Sequence, residues 1–403
     1  MTKPIDTPAV LPSAFDLGLV LTGGGARGAY QVGVLRWIAR NYPDLQVPII
    51  TGVSAGAVNT AKLASHPGTF AQAVEEMRHL WSELTTAQVF DVDVSSLVWN
   101  VVRWGGRLLS GGLMAGPRPR GFLDTAPLRT MLEESLAPVN GELTGIDYNL
   151  IKGKLRAVAI ITTSYTTGQT VVWLKGNQIK PWTRPQRRTE MGPIMIDHIM
   201  ASAALPIFFP AVRIGNEWYG DGGIRLAAPL SPALHLGADR ILAISTRYER
   251  TREESGVATV SGYPPPAQVL GVLLNAVFLD LIDQDSMRLE TMNRALEKLP
   301  VDKRDGMRPI SFLNVRPTKD LGALAKGYEG SLPRAFRFMV RGLGTDEQKS
   351  PDVLSMLLFE PEYLNKLIAL GEEDAERKAE EIDRFLTEEL DPDAVVDRAA
   401  RTA

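Results

Sequence analysis

The readable pattern of the chain begins with an apolar run, Leu17-Gly18-Leu19-Val20-Leu21, then glycines, then apolar residues at helical spacing from Tyr30 to Ala39. A short continuous apolar run predicts a buried strand, and the recurrence after it predicts a helix that packs by one face. The arrangement repeats with Val47-Pro48-Ile49-Ile50-Thr51 and an alanine-rich helical stretch through Ala64. Two strand–loop–helix units in tandem predict an α/β sheet, largely parallel at its centre.

Residues 90–120 break this rhythm. Trp99, Val101, Val102, Trp104, Leu108 and Leu109 lie beside Arg103 and Arg107, ahead of Gly111-Gly112 and Pro117. The stretch is expected to be an insertion, either an aromatic and basic element that meets lipid as a lid or a set of tryptophans packed in the core. Further on, Leu155–Tyr165 and Thr170–Leu174 predict a hairpin around Thr167-Gly168. Ile194–Ala204 reads as a helix stopped by Pro206, and Val212–Tyr219, turning at Gly215-Asn216, leads into Asp221. Arg240–Thr246 is another strand, Pro266–Leu299 is helical, Ile310–Val315 is strand-like, and only helical patterns follow Ser331. The charged stretch Glu372–Leu390 carries Ile382, Phe385 and Leu386 on one stripe, so it is expected to pack or pair. The expected organisation is a tail at 1–15, a body at 16–320 with the insertion at 90–120, and a helical extension at 321–403.

Composition narrows the picture. A length of 403 residues allows a sizeable core with appended elements. A net charge of −3 gives no bulk attraction for nucleic acid. With no cysteine there is neither a disulfide framework nor a thiolate metal site, and no ligand cluster points to a metal or another cofactor. Met1-Thr2-Lys3-Pro4-Ile5-Asp6 lacks the apolar stretch of a secretory leader, so the expected location is cytoplasmic. The most apolar later run, Val269–Ile282, is interrupted by Asn275 and Asp280 and is too short to span a bilayer. Lipid would be met from the surface, as a peripheral protein meets it.

Three short motifs carry the chemistry. Gly52-Val53-Ser54-Ala55-Gly56 sits between a strand and a helix, the setting of a nucleophile elbow, in which the flanking glycines Gly52 and Gly56 permit the sharp turn. Gly23-Gly24-Gly25-Ala26-Arg27-Gly28 precedes a helix, so its N–H groups can face a developing oxyanion, with Arg27 adding positive charge. The same loop fits a dinucleotide fingerprint, but Asp44 precedes the second strand and no acidic residue ends that strand. The base is the harder choice. His66, His79, His198 and His235 are the only histidines, and none sits in a loop that would present a catalytic imidazole. Asp221, just after a strand and ahead of Gly222 and Gly223, could take the Ser54 proton directly. A plain turn is the competing use of Asp-Gly-Gly.

These motifs, in this order over roughly Leu17 to Ile244, resemble the patatin-like phospholipases. The stretch Ala201-Ser202-Ala203-Ala204-Leu205-Pro206-Ile207-Phe208-Phe209-Pro210 is similar to the family's helix ahead of its aspartate. The resemblance implies a three-layer α/β sandwich and a Ser-Asp dyad of Ser54 and Asp221. It also implies an oxyanion region of Gly23, Gly24, Gly25 and Arg27, and no metal. The implied activity is acyl-ester hydrolysis of lipids, of the phospholipase A type. Ala227-Ala228-Pro229 departs from the asparagines that many members carry before this proline. An esterase or thioesterase acting on soluble acyl chains stays open, as does a catalytically silent interaction protein on the same scaffold. A protein activator, or a homo-oligomer formed through the C-terminal helices, also stays open. Trp173, Lys175, Lys180, Trp182, Arg184, Arg187 and Arg188 form a second basic and aromatic cluster that would suit anionic headgroups.

Overall fold

A computed structural model describes residues 16–91, 121–248, 252–256, 262–278, 281–342, 344–345, 348 and 350–388. The expected tail at 1–15 and nearly all of the expected insertion, residues 92–120, lie outside the described residues.

The first apolar run forms β1 (Leu17–Leu21) and the second forms β2 (Ile49–Val53). Beside them lie β3 (Ala157–Ser164), β9 (Arg240–Ile244) and β10 (Ser311–Val315), all five parallel in the order β10-β9-β1-β2-β3. The expected hairpin appears as β3 paired antiparallel with β4 (Thr170–Gly176), and the sheet continues through β6 (Arg187–Met191) to β5 (Thr183–Arg184). A second hairpin, β7 (Val212–Ile214) and β8 (Glu217–Asp221), joins β3, which completes a ten-stranded mixed sheet.

Side-chain alternation along the central strands builds the layers. Leu19, Leu21, Val158, Ile160, Leu242 and Ile244 face one core, whereas Val20, Ala159, Ile161, Ile241 and Ala243 face the other. The larger core lies under α1 (Gly28–Asn41), α2 (Ala55–Ser65), the helix Phe70–Glu83 and the C-terminal helices, and the smaller under the helix Leu281–Glu297 and the turn around Ala233. This is the three-layer α/β sandwich.

Residues after 320 share the larger core. The helix Pro361–Arg377 lies on α1 so closely that a Cβ on Gly33 would fall 2.0 Å from the Ile368 carbonyl oxygen, and one on Gly371 would fall 2.2 Å from that of Tyr30. Glycine at both positions lets the two backbones touch. Around that contact, Arg36 pairs with Glu372 at 2.6 Å and Tyr30 Oη donates to Asp374 at 3.2 Å. The stripe Ile382, Phe385 and Leu386 is buried on the helix Ala379–Thr387, so it packs within the chain. The helical stretch expected at 266–299 is described as two helices, Pro266–Phe278 and Leu281–Glu297. The helix expected at 194–204 spans Ile196–Ser202.

Candidate active site

Register brings the two motif residues together. On β3, Ile161 lies opposite Val53 of β2, and the next residue, Thr162, lies opposite Asp221 of β8. Because β4 occupies the other edge of β3, β2 and β8 share one edge, the second taking over where the first ends. Ser54, the residue after Val53, therefore emerges beside Asp221.

The turn at Ser54 has φ 58° and ψ −128°, a conformation non-glycine residues rarely adopt. Neighbouring glycines make the bend possible. A Cβ on Gly52 would sit 2.4 Å from the Gly56 carbonyl oxygen, and one on Gly56 would sit 2.2 Å from that of Leu21. The backbone is held by Ser202 at the end of the helix Ile196–Ser202. Its Oγ accepts the Ser54 N–H at 2.9 Å and donates to the Ile161 carbonyl at 2.6 Å.

Asp221 is fully buried, and Ser54 is 4% exposed. Asp221 Oδ1 accepts the Gly223 N–H at 2.9 Å. Oδ2 is buried and meets full hydrogen-bond geometry with no partner among the described residues. Burial pushes the carboxyl up to about 7, against the opposing pull of the Ser54 hydroxyl and the Gly223 N–H. An acid so tuned can exchange a proton with a hydroxyl near neutral pH. Gly222 is required by space, since a Cβ there would lie 2.3 Å from the Ile161 carbonyl oxygen.

The glycine loop closes the site from the β1 side. Gly24 and Gly25 take φ 145° and 57°, and a tight helical turn follows over Gly25–Arg27. The first N–H groups of such a turn have no partner inside it, which makes them donors for an anion. Thr246 Oγ1 anchors the loop by donating to the Gly23 carbonyl at 2.6 Å. Gly25 and Ser54 line the same narrow cavity of about 50 Å³, whose other walls are apolar: Trp81, Leu84, Val89, Leu128, Met131, Phe209, Met356, Leu357 and Phe359 among them.

The sequence model described as patatin-like phospholipase matches residues 19–234, more than half of the chain, a span that includes the glycine loop, Ser54 and Asp221. The chain belongs to the patatin-like phospholipase family. In general terms it is a lipid acyl hydrolase. No curated protein sequence matches it significantly. Among solved structures, VipD from Legionella pneumophila is similar over 93% of this chain and 68% of its own, at 13% identity and a TM-score of 0.39. Human GIVD cytosolic phospholipase A2 is similar over 96% of this chain and 61% of its own, at 12% identity and a TM-score of 0.47. The chain thus spans about three fifths of the human enzyme's length.

Within this patatin-like frame Arg27 faces away from an open role. It is 3% exposed and binds the helix Asp352–Leu357, with Nη2 at 2.6 Å from Asp352 Oδ1 and Nε at 2.8 Å from Ser355 Oγ. The histidines are engaged elsewhere. His198 stacks on Trp173 with ring centroids 4.0 Å apart, and burial pushes its pKa down to about 4. His66 meets Glu76, His79 meets Glu83, and His235 stacks on Trp182. Two cations of the second basic cluster are neutralised within the chain, Lys175 by Glu142 and Asp147 and Arg188 by Glu190 and Glu217. Among the described residues no helix is long and apolar enough to cross a membrane.

Ser202 lies in the family-like stretch 201–210, where nothing singles it out from its neighbours, and Trp81 carries no motif signal in the sequence. The first reads as one more small residue in an alanine-rich helix. The second is one apolar position of an amphipathic helix, where its Nε1 donates to Asn59 at 2.8 Å. Only the fold shows that both border Ser54.

Proposed function

We propose that the chain hydrolyses acyl esters of phospholipids, in the manner of a phospholipase A, through a dyad of Ser54 and Asp221. The observation that carries this reading is the succession of rungs on β3, Val53 opposite Ile161 and Asp221 opposite Thr162, which sets a strained serine beside a buried carboxylate. Asp221 takes the Ser54 proton as Oγ attacks the ester carbonyl. The tetrahedral anion is met by N–H groups of Gly24 and Gly25. Collapse releases the lysolipid or alcohol, with the proton returned from Asp221. Asp221 then draws a proton from water as its oxygen attacks the acyl-serine, and on collapse returns that proton to Ser54 Oγ, which frees the fatty acid and restores the enzyme.

Release of fatty acid from mixed phospholipid vesicles tests the proposal. Wild type releases it, and Ser54→Ala and Asp221→Asn reduce release to background; release undiminished in either variant overturns the dyad. One observation favours a second reading. A cavity of about 50 Å³ suits a short acyl group, as in an esterase acting on soluble substrates. Turnover confined to short soluble esters, with none on vesicles, would select that reading.

A further inference from the structure

A site that takes a drug-sized ligand measures roughly 300–1,000 Å³, whereas the cavity at Ser54 has about 50 Å³. The space open beside Ser54 is thus several-fold smaller than such a site. Admission of a long acyl chain calls for one of its walls to move. The wall that lies on the site itself is the segment Asp352–Phe359. A Cβ on Gly25 would lie 2.1 Å from the Met356 carbonyl oxygen, and Met356, Leu357 and Phe359 line the cavity. This wall is a six-residue helix with a short tail, and polar contacts pin it. Arg27 grips Asp352 and Ser355, Asn275 Nδ2 donates to Asp352 Oδ2 at 2.7 Å, and Thr86 Oγ1 donates to the Phe359 carbonyl at 3.1 Å.

Resting on the hydrolase reading above, we propose that Arg27 is a positioning residue. Its guanidinium clamps the helix Asp352–Leu357 onto the glycine loop, and this helix is the wall whose displacement admits a long acyl chain to Ser54. Geometry separates this role from direct stabilisation of the oxyanion. The donors of Arg27 are directed at Asp352 and Ser355, on the helix that roofs the loop. A buried ion pair of this kind contributes little net stability but fixes one arrangement of its elements and strongly opposes separation of one partner.

The chain has no cysteine, and a Cβ on Gly271 would lie 3.4 Å from Asp352 Cβ, close to the spacing of about 3.8 Å in disulfides. Gly271→Cys combined with Asp352→Cys therefore gives one protein whose wall is locked when oxidised and released when reduced. The expected result is that oxidation lowers release from long-chain esters at least about tenfold, while hydrolysis of p-nitrophenyl acetate differs little between the two forms. In a Ser54→Ala background the oxidised form should also bind cis-parinaric acid, a fluorescent long-chain fatty acid, more weakly than the reduced form. Equal long-chain turnover and equal binding in both forms would overturn the proposal. Absence of Ser54-dependent acetate hydrolysis in both forms would instead sink the hydrolase reading, and the binding comparison would still decide the wall. Arg27→Lys adds a second readout, because it keeps the charge and loses the forked grip on Ser355. Under the clamp its long-to-short ratio of kcat/KM rises several-fold. A uniform fall in kcat at every chain length would place Arg27 on the oxyanion and contradict the clamp.

Discussion

The Ser54 N–H donates to Ser202 Oγ at 2.9 Å, and that hydroxyl donates on to the Ile161 carbonyl at 2.6 Å. The strained turn is thus tied to β3 through a side chain 148 positions further along the chain. Ser202→Ala leaves the Ser54 N–H and the Ile161 carbonyl without that bridge in a buried site, at a cost of about 1–3 kcal/mol. Thermal unfolding should show this loss. Because the turn at Ser54 loosens, kcat should fall roughly tenfold under the proposed dyad even though Ser54 and Asp221 are intact. Wild-type turnover in this variant would show that the bridge is only structural.

The burial of Asp221 sets a pH dependence. Its carboxyl is raised from the ordinary 3.8 to about 7, chiefly by desolvation. Only the ionised form can accept the Ser54 proton, so kcat/KM should rise with pH through a midpoint near 7 and level off above it. A profile whose rising limb has its midpoint near 4 would show an ordinary, solvated carboxylate.

The same shift predicts an effect of opposite sign on stability. Between about 3.8 and 7 the folded chain binds a proton at Asp221 that the unfolded chain has released, so stability falls as pH rises through this window. Above pH 7 the cost of holding the buried charge reaches at most about 4 kcal/mol. Asp221→Asn should therefore raise Tm at pH 8 while abolishing activity, and the gain should vanish near pH 4. Unfolding scans of both proteins at the two pH values check it.

The glycine pair at the crossing of α1 and the helix Pro361–Arg377 supports a prediction about the C-terminal region. Gly371→Ala would force a Cβ to within 2.2 Å of the Tyr30 carbonyl oxygen, with no flexible side chain to yield. Destabilisation of about 3 kcal/mol or more is expected. Truncation before Pro361 would remove the buried Leu364, Leu367, Ile368 and Leu370 and should leave the rest unable to fold, as protease resistance of the truncated chain would report.

How much was legible in the sequence follows from how local each signal is. The strands at Leu17, Ile49, Ala157 and Arg240 announce themselves as apolar runs, and Gly-x-Ser-x-Gly and Asp-Gly-Gly are steric requirements of single turns, so the elements and both dyad candidates could be read directly. What brings them together is register on β3, and no local pattern encodes that Thr162 pairs with Asp221. The partners of Arg27 lie more than 320 residues away, and nothing near Arg27 distinguishes a buried clamp from a charge facing the site. The helices after 320 look like an appended region because their amphipathic stripes say only that one face is buried. Gly33 and Gly371 show which surface buries it.

The central claim is that Ser54 is the nucleophile and Asp221 its base. The most direct measurement is the rate and site of covalent labelling by a fluorophosphonate probe, followed by intact-mass and peptide analysis in wild type and Asp221→Asn. One adduct is expected on wild-type Ser54 at pH 8, with labelling slower by about a hundredfold or more in Asp221→Asn. An adduct on a different serine, or labelling of Ser54 at the wild-type rate in Asp221→Asn, would contradict it.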